Sequence, residues 1–258
     1  MSDDCNRTPF WQRQPILPLE VQGVLRTRVE AALADPGARE ALVWPTILGA
    51  PRLRQAHPDG LPEDELLAHA ARLLAPLGIL DPAAAWQAHR EAWGDTTEAG
   101  PSGWRPSSRW GAWGPLVSLR CGWQLAALTP LPLDERYPLA CGVSLFNHGL
   151  FHECHDALEP LWTGASGGLK DGLQGLILMA AGHHHLQLHN LPGMRAVWED
   201  ALARLGPSGG LVTTPWGEVR AEAALGLTAR RLELAGALAE GGDLADLWAL
   251  DRPTWELR

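Results

Sequence analysis

The stretch from about Leu169 to His189 is apolar nearly all round, with Leu173, Leu176, Ile177, Leu178, Met179, Ala180, Ala181 and Leu186 leaving no broad polar face. A helix of that kind must be covered on every side. Its longest apolar run, Leu176 to Gly182, falls far short of the roughly 18 residues that a membrane span needs. The cover is therefore expected to be other helices of the same chain, and an all-α bundle follows. Yet this helix carries Gln174 and His185, eleven residues apart and so on nearly the same side, with His189 close to that line. His184 lies about 100° away and His183 opposite. Buried polar groups need partners, so a neighbouring helix has to supply them.

The neighbour is expected over about Ser144 to Trp162, with Ser144 as N-cap and Gly164 to Gly168 as the turn between the two helices. On a wheel, Phe151, Cys154, Leu158 and Leu161 form an apolar arc. Beside it stand His148, His152, His155, Glu159 and Trp162, while Glu153 and Asp156 are expected to face solvent. The spacing of four between His155 and Glu159 stacks the two one turn apart, as two ligands of one ion or two groups sharing a proton. Antiparallel packing would bring His185 to that strip. A third helix is expected from about Pro192 to Leu205, stopped by Gly206.

Upstream, helical spacing predicts helices over Pro18–Ala34, Pro62–Ala75 (opened by Glu63, Asp64 and Glu65) and Pro82–Trp93 with Asp81 as N-cap. Residues 94–115 are rich in Gly, Pro and Ser and read as a linker, followed by a helix over about Leu116 to Leu128. The Pro-rich TPLPLDERYP predicts a boundary near 130–136, with the earlier linker over 94–115 as the alternative. Residues 1–130 thus form an appended helical region, and 131–258 a compact helical domain. Period-two alternation is scarce, so no sheet is expected.

Composition narrows function. Thirty acidic residues against 21 basic give a net charge of -9, which repels phosphate backbones and argues against nucleic acid as a partner. The start lacks the pattern of a signal peptide, and Cys5, Cys121, Cys141 and Cys154 form no C-x-x-C pair. A reducing cytoplasm is the expected setting, with neither membrane nor disulfide framework. A second copy of the chain or another protein remains open as a partner. The 13 Trp are spread from Trp11 to Trp255 and read as core filling.

FNHGLFHECHDALEPLW, then LQGLILMAAGHHH, then Asn190 and Gly193, resembles the bacterial and archaeal family called Domain of Unknown Function 309 over roughly residues 136–210, and more weakly to the C-terminus. The family pattern H-x-x-x-E-x-x-W/Y is met by His155, Glu159 and Trp162. Phe146-Asn147, Gly149, Glu153 and Gly175-Leu176-Ile177 fit around it, and His185 falls where the family has a histidine. Asp156 stands where the family often has Glu, and Leu178 replaces a commonly polar residue. The resemblance implies an all-helical fold and a metal-binding motif, and it implies no reaction.

Two functional readings follow. In the first, a divalent transition metal (zinc, iron, manganese or nickel) is held by His155, Glu159 and His185, with His148, His152 and His189 as further ligand candidates. Trp162, Glu153 and Gln174 would then serve the motif and its packing. In the second, the His/Glu cluster is a structural hydrogen-bond network in a non-enzymatic scaffold or protein-interaction domain. Whether the chain is an enzyme is left open. His152 to His155 spells H-E-x-H, one residue short of a zinc-protease helix, and no Glu-x-x-His pair supports a di-iron bundle. Cys154 lies on the apolar arc and reads as an inert buried thiol.

Overall fold

The computed structural model describes residues 18–93, 97–131, 134–238 and 244–258. Cys5, Trp11, residues 94–96 of the expected linker and residues 132–133 of the expected boundary lie outside them. The chain is mostly helical, and two compact units divide it, one within Leu17–Leu131 and one within Pro132–Arg258.

In the N-terminal unit, α1 (Leu19–Ala34) is followed by a 3-10 segment (Pro36–Leu42), α2 (Val43–Leu48), α3 (Pro51–Ala56), α4 (Glu63–Leu74) and α5 (Pro82–Trp93). Asp81 caps α5, its Oδ1 accepting the amides of Ala83 and Ala84 at 3.1 and 3.0 Å. The stretch expected as a loop instead holds an antiparallel hairpin, β1 (Thr97–Gly100) and β2 (Gly103–Pro106), before α6 (Gly114–Leu128). Four-residue strands written TEAG and GWRP carry no alternation to read. What fixes them is backbone: Leu61 and Trp104 exchange two N–H···O bonds of 2.8 Å. Gly103 has φ 156°, and a Cβ there would collide with the Leu61 carbonyl oxygen, so only glycine lets the hairpin approach so closely. Trp44 and Trp86 fill the core, ring centroids 4.9 Å apart. His89 is wholly buried, stacked on Trp86 at 5.7 Å and tilted against Trp44 at 5.8 Å.

In the C-terminal unit the expected Ser144–Trp162 helix is two helices, α7 (Tyr137–Asn147) and α8 (Phe151–Thr163). The break is Gly149, whose φ of 75° lies in the left-handed region and ends α7. Ser144 is accordingly no N-cap; its carbonyl accepts the amide of His148 at 3.0 Å. Next come α9 (Gly167–Gln187) and α10 (Leu191–Leu205), capped by Asn190, whose Oδ1 accepts from the Gly193 amide at 3.0 Å. A Cβ on Gly182 would run into the Trp198 ring, so this glycine sets how closely α9 and α10 pack. Trp198 spends its indole N–H on the Met179 carbonyl at 3.1 Å, satisfying it inside the core.

Strands β3 (Leu211–Thr214), β4 (Gly217–Arg220) and β5 (Glu256–Leu257) form a small antiparallel sheet in that order, a second departure from the sheet-free expectation. Between β4 and β5 lie α11 (Glu222–Ala237) and α12 (Leu244–Ala249). The tail then closes the core. Trp255 stacks on Phe146 with centroids 3.8 Å apart, and Asn147 grips its backbone through two hydrogen bonds of 2.8 and 2.7 Å. No helix among the described residues is long and apolar enough to cross a membrane. Cys121, Cys141 and Cys154 are buried thiols in no disulfide.

Candidate metal centre

Helix α8 buries Phe151, Glu153, Cys154, Ala157 and Leu158. The opposite side of its first two turns therefore faces outward, and it carries His152, His155 and Asp156. One donor atom from each lies within 4.8 Å of the others, the three-donor group found among the described residues. The spacing 152, 155, 156 is the i, i+3, i+4 pattern that gathers side chains on one helix face. Asp156 is the hub: its Oδ1 accepts from His155 Nδ1 at 3.2 Å and stands 3.8 Å from His152 Nδ1. A carboxylate only accepts, so as the group stands the proton of His155 sits on Nδ1, and an ion ligated by that nitrogen would displace it. Across the helix pair, the ring of His184 on α9 stacks on His152, centroids 5.0 Å apart and 21° from parallel.

The surroundings of His155 act on its titration. The hydrogen bond to Asp156 raises the pKa of His155 above its ordinary value; partial burial opposes this, and the charges of Asp156 and Glu159 add to it. Cys154 moves the other way for a nucleophile. Burial, then the charges of Glu153 and Asp156, push its thiol well above its usual range, which leaves it unreactive.

Of the residues singled out from the sequence, the structure gathers His152 and His155 and leaves the others apart. Glu159 is exposed one turn on, and acts on His155 through its charge. His185 lies toward the end of α9, its Nδ1 3.1 Å from the Asn190 side-chain nitrogen beside the start of α10. His148 is exposed beyond the Gly149 break, with Nδ1 2.8 Å from the Ser144 carbonyl. His189 is exposed with φ 58°, its ring 6.0 Å from Trp248. Trp162 is half-buried under the Lys170 ammonium, 4.7 Å from its ring, and Gln174 is half-buried on α9.

Glu153 and Asp156 correct the wheel. Glu153 is 4% exposed, and Asp156 belongs to the cluster with a side chain 15% exposed. The signal for Asp156 was present: it stands four residues after His152, the same spacing that selected Glu159 from His155. His183 is a core residue, in the aromatic surround of Phe146, Phe151 and Trp198.

A helix pair with a His/His/Asp group on its outer edge is thus the feature that defines this unit. Residues 139–197, spanning most of α7 and reaching into α10, match the family model described as Domain of unknown function (DUF309), and the chain carries that domain there. No curated protein and no solved structure matches the chain.

Proposed function

We propose that the DUF309 domain of this chain binds one divalent transition metal through His152, His155 and Asp156. The observation that supports the reading is the convergence of these donors within 4.8 Å on one helix face. Two donors each about 2 Å from an ion stand at most about 4 Å apart, so closing around it asks only small side-chain rotations. Two imidazoles and a carboxylate suit zinc, iron, manganese or nickel. The set keeps His155 and His152 from the sequence reading and takes its carboxylate from Asp156; Glu159 is the next carboxylate on that face. Three protein donors from one helix leave positions open to water or a ligand, and an ion there would supply Lewis acidity or an activated water. Proton and metal compete for His155, so uptake strengthens as pH rises through its raised pKa.

A second reading has its own observation. The His155–Asp156 hydrogen bond is complete at 3.2 Å as it stands, which is what a structural network in a scaffold domain requires.

Metal content separates the two. Protein made without an affinity tag is measured by mass spectrometry and melted with and without chelator. Near-stoichiometric metal, lost in His155→Ala and Asp156→Ala but kept in His185→Ala, supports the metal reading. Its removal should also lower Tm, by mass action. Substoichiometric metal with an unchanged melt leaves the scaffold reading in its place.

A further inference from the structure

A cleft of about 530 Å3 lies in the N-terminal unit, outside the family-matched segment, between the α2–α3 stretch and the β1–β2 hairpin. That is an ordinary size for a small-molecule site. Leu48, Leu61 and the Trp104 ring give it an apolar wall, and Arg54, Arg105 and Ser107 give it polar groups.

The wall is rigid before anything binds. Trp104 exchanges its two backbone bonds with Leu61, donates its indole N–H to Glu63 at 2.9 Å, and lies under the Arg90 guanidinium at 4.4 Å. Trp86 meets its ring edge-on at 5.1 Å. A ligand seated there would not have to order the surface it meets.

The charges lining the cleft do not balance. Arg105 is neutralised by Glu98 at 2.7 Å, and Glu98 also accepts the Ser108 amide at 2.8 Å. The Arg54 side chain has no ion pair and no hydrogen bond among the described residues. Its Nη1 lies 3.1 Å from where a Cβ on Gly114 would stand, so the absence of a side chain at Gly114 makes room for the guanidinium. Among the described residues, one cation without an ion pair thus lines the cleft together with Trp104, in a chain whose net charge is -9.

We propose that this cleft binds a small organic anion, a carboxylate or phosphate monoester on an aromatic or apolar body, with Arg54 taking the anionic group and Trp104 packing the body. A planar guanidinium suits both anions through paired N–H···O bonds.

The test is calorimetric titration of the full chain, in chelator so that the α8 cluster plays no part. The probes are 3-phenylpropionate, phenyl phosphate and the neutral 3-phenylpropanamide. At least one anion should saturate, with the amide and the Arg54→Gln variant each weaker by about 10-fold or more, the size of one charge-assisted hydrogen bond. Arg52→Gln, an exposed neighbour that does not line the cleft, should bind as the unaltered chain does. The tighter of the two anions identifies the headgroup class. The proposal is overturned if neither anion saturates, if the amide binds as well as the acid, or if the Arg54 and Arg52 variants behave alike.

Discussion

Each unit buries one histidine among aromatic rings near a buried arginine, and the two surrounds are finished differently. In the N-terminal unit His89 lies between Trp44 and Trp86, and neither of its ring nitrogens has a hydrogen-bond partner among the described residues. Burial first, and the Arg28 charge second, pull its pKa down to about 3. In the C-terminal unit His183 stacks on Phe151 at 4.9 Å, with the Thr228 hydroxyl 3.5 Å from Nε2. Its pKa too is lowered, by burial and then by Arg231. That arginine is anchored on the carbonyls of Leu247, Leu250 and Asp251. Both imidazoles are neutral core filling, while His155, half-exposed beside a carboxylate, shifts the opposite way. Burial and the neighbouring charge, not residue type, divide the core histidines His89 and His183 from the outward-facing His155.

The largest expected effect tests whether the two surrounds belong to separate folding units. Trp86→Ala and Trp198→Ala each remove a fully buried indole and should cost about 3–5 kcal/mol. In a calorimetric scan each should lower a different transition. A single transition moved by both variants would mean one cooperative core, and the comparison between units would fall.

The next effect is pH. Folded His89 stays neutral to about pH 3, whereas unfolded it takes a proton near its ordinary pKa of 6.5. Between those values the unfolded chain binds the extra proton, so stability falls as pH drops from 6.5 toward 3. At pH 5 the loss is about 2 kcal/mol, at roughly 1.4 kcal/mol for each unit of pH. His89→Leu should remove that part of the acid sensitivity, read as a flatter stability profile in urea melts from pH 7 to 5. Parallel profiles for variant and parent would show that the cage opens to water on its own.

The smallest effect sharpens the contrast with the outward cluster. In metal-free protein, Asp156→Asn should change stability by less than about 1 kcal/mol, because the His155–Asp156 pair is partly exposed. A loss of several kcal/mol in denaturant would move this cluster to the structural side of the divide.

Much of the helical framework was legible because it rests on periodicity and on caps that act locally. The helices α1, α4, α5, α9 and α10 start or stop within about two residues of the expected places. The α7–α8 break was missed because the wheel was carried through Gly149, where one left-handed residue redirects the chain. His148 was placed with the other histidines for that reason alone. The two small sheets were missed because strands of four residues or fewer are too short to show alternation, and because one pairing, Val219 with Leu257, joins residues far apart in sequence. At the site, His155 was legible from spacing. Glu153 was not, because a charged side chain on a wheel is assigned to solvent, and only the packing of neighbouring helices shows otherwise.

The grip of Asn147 and Phe146 on Trp255 has a consequence for the order in which the domain can be finished. The partners stand 108 residues apart, and one lies well beyond residue 197, where the family match ends. During synthesis α7 to α10 emerge before Trp255 exists, and until it arrives one face of Phe146 lacks its cover. Contacts of such long sequence separation form late and slow folding. The nascent helices must therefore wait with apolar surface uncovered, the condition under which chains associate with one another or engage chaperones.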